Sequence, residues 1–143
     1  MTMKEREARL TGLTGFGGAI DAALVSAFKF SGRASRSEYW YYFLFYYGAI
    51  FLLTLGVVHV QEIYGRDSQN SFLLSIGWLL VIVSLSIAAV SATVRRLHDA
   101  NKSGWWMLIM FVPVIGHIAL IAFTCNRGSK DGNRFGEVPR YYI

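Results

Sequence analysis

The sequence predicts an all-α integral membrane protein with three hydrophobic helical segments plus an N-terminal interfacial amphipathic helix. Three observations carry this. The hydrophobic fraction is 54% and the charged fraction only 16%, where soluble domains run near 45–50% and 25%. The apolar residues lie in blocks, and two blocks of more than 20 residues contain no charge: Tyr39–Val60 and Phe72–Val94. About 20 apolar residues in a helix cross the ~30 Å hydrocarbon core.

The chain has 143 residues, one domain at most. It divides into a tail and amphipathic leader, 1–27, and a membrane domain, 28–143. Residues 1–15 are polar and then glycine-rich, and read as a loose tail. They lack the continuous apolar stretch of a cleaved signal peptide. In residues 16–30, Phe16, Ile20, Ala23, Leu24, Ala27 and Phe28 recur near helical spacing, with Asp21, Ser26 and Lys29 elsewhere on the wheel. That pattern suits a helix lying in the membrane surface. Ser31-Gly32 signals a turn. Ser35-Arg36-Ser37-Glu38 fits a capping box directly before an apolar run.

The first hydrophobic segment covers about 39–60 and opens with Tyr39, Trp40, Tyr41, Tyr42 and Phe43, rings of the type that collects at the headgroups. A polar loop follows at 61–71, with Asn70 or Ser71 available to cap the next helix. The second segment, 72–99, has a side rich in Ser and Ala that suits close helix packing in lipid. Its 28 residues would extend ~42 Å, so Arg95-Arg96-Leu97-His98-Asp99 emerges into the headgroups or against other protein. The helix is expected to stop near Asn101 or Gly104. Ser103 can cap the third segment, 104–124, where Trp105-Trp106 stand at the start and Pro113 near the middle. The remainder, including Lys130-Asp131-Gly132-Asn133, reads as loop and turn.

The 14 lysines and arginines give topology a direction. If all three segments span, the leader and second loop share a side, with nine basic residues against five. If 104–124 dips in and returns near Val112–Gly116, the bias becomes thirteen against one, with Arg66 alone on the far side. Both arrangements put the leader in the cytoplasm. Three spans are the default, and the re-entrant hairpin is the alternative, since 104–124 is too short to cross twice.

Phe30-Ser31-Gly32-Arg33, Ser35-Arg36, Glu38-Tyr39-Trp40, Arg95-Arg96-Leu97-His98-Asp99, Ser103-Gly104-Trp105-Trp106, Pro113, and Gly132-Asn133 with Phe135-Gly136 together resemble the DUF805 family. The resemblance covers about Phe28 to Pro139. It implies a small protein of the bacterial inner membrane and carries no assigned activity.

The charged stretch after the second segment is the candidate site. In one reading it is structural: Arg95 and Arg96 anchor the helix end, Asp99 pairs with Arg95 at i,i+4, and His98 bonds a neighbour. In another, Arg33, Arg36, Arg95 and Arg96, with His98, form a cytoplasmic face that binds anionic lipid headgroups or a protein partner, because guanidinium forks match phosphate oxygens. A third, catalysis, rests on His98 and Asp99 alone, which point about 100° apart on a helix. No hydrolase, zinc-protease or phosphate-loop motif is present, and no enzymatic activity is expected. Glu38 caps a helix or pairs with Arg33, Arg36 or Arg95. His117, after Pro113, reads as a neutral ring bonded to a backbone carbonyl freed by the proline kink, with a functional intramembrane polar group as the alternative. A single cysteine, Cys125, excludes an internal disulfide. No metal or other cofactor is expected, and no nucleic acid, since the net charge of +5 reads as membrane flanking. Partners beyond the bilayer are a second copy or another membrane protein, which includes the alternative of a small oligomeric transporter or channel.

Overall fold

A computed structural model describes residues 15–66, 68–129 and 131–137. The expected tail at 1–15 therefore lies outside the described residues except for Gly15. The regular structure of the described chain is helical: α1 (Phe16–Val25), α2 (Arg36–Tyr64), α3 (Gln69–Asp99), a 3-10 segment (Gly104–Phe111) and α4 (Ile115–Cys125). Two of these, α2 and α3, are long and apolar enough to cross a membrane.

The start of α2 follows the sequence signal. Ser35 is the N-cap and its hydroxyl accepts from the Glu38 N–H. The helix then runs past Val60 to Tyr64 and stops at Gly65, whose φ of 81° suits glycine. The polar stretch 61–71 is thus mostly helical, not a loop. Ser68, rather than Asn70 or Ser71, caps α3, its hydroxyl accepting from the Ser71 N–H. At 31 residues α3 extends ~46 Å. Its end is a Schellman motif: Asn101 takes φ 56°, Asn101 N–H donates to the His98 carbonyl and Lys102 N–H to that of Leu97.

Small residues on the last turns of α3 set the packing. Ala88, Ala89, Ser91 and Ala92 are buried against α1 and α2, and such residues let helix backbones approach closely. Gly77 and Ser84, on the other half of α3, stay exposed. The aromatic start of α2 is not a simple headgroup belt. Tyr39 and Tyr42 are buried, and the Tyr42 hydroxyl donates to the Leu85 carbonyl at 2.7 Å. Tyr46 and Ser86 hydroxyls pair at 2.9 Å. Trp40, Tyr41 and Tyr47 face outward. The leader helix docks through Gly18, Ala19 and Ala23, with Phe16 and Leu24 left exposed. The Ser91 hydroxyl meets the Ser26 and Lys29 carbonyls just beyond its end.

The third hydrophobic segment differs most from the default expectation. It is no single helix with a proline kink. The 3-10 segment ends at Phe111, and the chain reverses through a γ-turn in which Val114 (φ 60°, ψ −65°) lets Ile115 N–H reach the Pro113 carbonyl. The chain then returns as α4. The two arms touch: a Cβ on Gly116 would stand 1.7 Å from the Ile109 carbonyl oxygen, so only glycine fits. Nor does the Ser103 hydroxyl cap the 3-10 segment. Both ends of 104–124 lie at the same end of α3, because Arg96 there holds the carbonyls of Thr124 and Asn126. This is the geometry of the hairpin alternative.

Candidate functional site: a buried charge clamp

The Ser31–Ser35 turn, the first turn of α2, the last turns of α3 and the segment after α4 converge at one end. Gly32 (φ 87°) turns the chain, and Ala34 N–H donates to the Arg95 carbonyl at 3.1 Å. This lays the Arg33 side chain along the end of α3.

Arg33 donates to Asp99 through Nε at 2.9 Å and Nη2 at 2.8 Å. Its remaining donors meet the carbonyls of Ser129 at 2.6 Å, Asp131 at 2.9 Å and Gly136 at 3.4 Å. Arg96 also pairs with Asp99, and donates to Thr124 O at 2.8 Å, Ala34 O at 3.4 Å and Asn126 O. Arg96 and Asp99 are wholly buried. Arg95 pairs instead with Glu38 at 2.8 Å, while its Nε and Nη2 are buried without a hydrogen-bond partner. Two bonds to α3 carbonyls complete the clamp: Ser129 N–H to Asp99 O at 3.1 Å and the Asn133 side-chain Nδ2 to His98 O at 2.8 Å.

Three expectations change here. Asp99 pairs with Arg33 and Arg96, not with Arg95. A carboxylate has two oxygens, and Arg33, delivered by the turn, and Arg96, at i,i+3, reach them first. Glu38 pairs with Arg95, and its backbone N–H, not its carboxylate, serves the cap. The four arginines do not form one anion clamp, since Arg33 and Arg96 are saturated by internal acceptors while Arg36 is exposed. His98 and Asp99, about 100° apart on the helix, serve different partners, as that spacing implies: Asp99 faces guanidiniums and His98 Nδ1 bonds the Gly32 carbonyl at 3.1 Å.

A buried ion pair is a weak source of net stability, because desolvation offsets the Coulomb gain. Its stronger effect is on geometry: once buried, neither partner is free to leave. The clamp therefore fixes where the leader and the segment after α4 meet α3. Ser129 escaped the sequence reading, and Asn133 and Phe135 entered it only through the family resemblance, with no role assigned, in a region treated as loop and turn. The turn is real but sits at Asn133–Gly136, closed by paired main-chain bonds. Phe135 stacks on His98 with ring centres 3.9 Å apart and planes 4° from parallel. Around the clamp, Lys29, Arg36, Arg127 and Arg134 are exposed. Among the described residues no three His, Cys, Asp or Glu side chains gather as a metal site.

A family model described as "Protein of unknown function (DUF805)" matches residues 27–137. The chain is 37% identical over 112 residues to the inner membrane protein YhaI of Escherichia coli K12, covering 78% of this chain and 86% of that one. It is 35% identical over 111 residues to the inner membrane protein YhaH of the same strain, covering 78% and 87%. An uncharacterized protein of that strain, YiiR, matches at 33% over 86 residues, 59% of this chain and 51% of its own length. No solved structure matches the chain.

Proposed function

The chain belongs to the DUF805 family of membrane proteins, and from that premise we propose that it is a non-enzymatic, multi-pass protein of the bacterial inner membrane that binds anionic lipid through a basic cytoplasmic face. In this reading α2 and α3 span, 104–124 is re-entrant, α1 lies at the membrane surface, and the leader and C-terminal segment share the cytoplasmic side. The observation that carries it is the return of α4 to the clamp. With that return, eight of the nine lysines and arginines among the described residues flank one end of the two spans and Arg66 the other. So lopsided a count supports a cytoplasmic clamp end.

In this reading Arg36 alone of the candidates from the sequence meets lipid. Arg33, Arg95, Arg96 and His98 hold the clamp, and the exposed Lys29, Arg36, Arg127 and Arg134 form the rim. Each basic residue near an anionic surface contributes about 1 kcal/mol. Native mass spectrometry with phosphatidylglycerol and phosphatidylcholine tests this. Replacing Arg36, Arg127 and Arg134 together by Gln is expected to lower retention of phosphatidylglycerol by at least tenfold, which is about 1.4 kcal/mol, and to leave phosphatidylcholine unchanged. Unchanged phosphatidylglycerol retention would contradict the basic rim.

A second reading, a component of a small oligomeric transporter or channel, draws on the exposed Gly77 and Ser84 of α3, small residues that admit a neighbouring helix. A strictly monomeric mass in detergent argues against it.

A further inference from the structure

Beside the clamp, a cleft of about 420 Å³ opens between the last turns of α3 and the 3-10 segment, within the size range of ligand sites. Its walls are apolar, chiefly Phe30, Val94, Trp105 and Leu108, and two polar side chains, His98 and Ser103, reach it. The clamp determines what His98 presents there. The partner of Nδ1 is the Gly32 carbonyl, which only accepts, so Nδ1 carries the proton. The neutral ring then has a bare lone pair on Nε2.

Nε2 points at the Gly104 side of the cleft: a Cβ on Gly104 would lie 3.5 Å from it and 2.7 Å from Val94 Cγ1. No hydrogen bond to Nε2 occurs among the described residues. The Ser103 hydroxyl likewise makes no cap bond. An apolar cleft thus contains an acceptor, Nε2, and a hydroxyl able to donate. A phosphate oxygen would meet the lone pair with another lone pair. An acyl chain alone would leave both groups unmatched, and unmatched buried polar groups are costly. An alcohol matches both, because it donates to Nε2 and accepts from Ser103.

We propose that this cleft binds an uncharged lipid alcohol of the acylglycerol class, its glycerol hydroxyl between His98 Nε2 and Ser103 Oγ and its acyl chain along Trp105 and Leu108. The site is separate from the basic rim. It selects by hydrogen bonding rather than by charge, and its ligand is drawn from the lipid phase.

The test uses the full chain in detergent, with 1-oleoylglycerol and its dimethyl ether as probes. The ether keeps the chain and the oxygen acceptors but has no O–H to donate. Native mass spectrometry is expected to show roughly tenfold better retention of the alcohol, the discrimination of one well-placed hydrogen bond. His98→Phe, which keeps a ring against Phe135, is expected to abolish that preference. Ser103→Ala, which removes the donor to an oxygen that both probes carry, is expected to reduce retention of both several-fold while phosphatidylglycerol retention stays unchanged, which separates this site from the rim. Nitrogen NMR of histidine-labelled protein is expected to show the His98 proton on Nδ1. Equal retention of both probes overturns the proposal, as does retention of 1-oleoylglycerol that survives Ser103→Ala undiminished or a proton found on Nε2. If His98→Phe does not fold, Ser103→Ala and the NMR measurement decide.

Discussion

Asp99 lies between two guanidiniums, with no exposed surface of its own. Converting it to an amide would remove the counter-charge while Arg33 and Arg96 stay buried. Breaking a buried pair from one side costs about 3–5 kcal/mol. Asp99→Asn is therefore expected to lower the thermal midpoint of the detergent-solubilised protein sharply, whereas Arg36→Gln, at an exposed position, should change stability by less than about 0.5 kcal/mol. Equal effects of the two would contradict the clamp. At this scale the sequence showed which charges were involved but not how they pair. Spacing rules on one helix favour Arg95 with Asp99. They are blind to Arg33, which lies 66 positions away and arrives only because Gly32 turns the chain and the Schellman motif leaves the end of α3 open to it.

Between elements, glycine marks the closest approaches. Gly104 meets Val94, where an added Cβ would stand 2.7 Å from Cγ1. Gly104→Ala should cost about 1–3 kcal/mol, as overpacking does, and Val94→Ala in the same chain should recover most of it. Gly116 is less forgiving, because its neighbour is the Ile109 backbone and no side-chain trimming makes room. Gly116→Ala is expected to disrupt the hairpin, with loss of the stability increment in circular-dichroism melts and no rescue by Val112→Ala. The long spans were legible because charge-free runs of their length have few other uses. The hairpin was not, although the charge count favoured it. Pro113 is a kink signal in a membrane helix, and the reversal itself falls on Val114, a β-branched residue with positive φ that no propensity rule would choose. The 61–71 stretch misled in the opposite direction: polar residues there extend both helices beyond the apolar runs.

For the whole molecule, the buried clamp ties the leader, the end of α3 and the segment after α4 to one end, and the polar turn at Gly65–Ser68 lies at the other end of the two spans. If α2 and α3 cross the bilayer, sidedness follows directly. The decisive measurement is labelling by a membrane-impermeant thiol reagent in intact cells and in inverted vesicles, with Cys125→Ser as background and single cysteines at Lys29, Arg66 and Arg127. Lys29→Cys and Arg127→Cys should label together from the cytoplasmic side, and Arg66→Cys from the opposite side. Labelling of Arg127→Cys from the same side as Arg66→Cys would mean that 104–124 crosses the membrane, and would contradict the one-sided clamp.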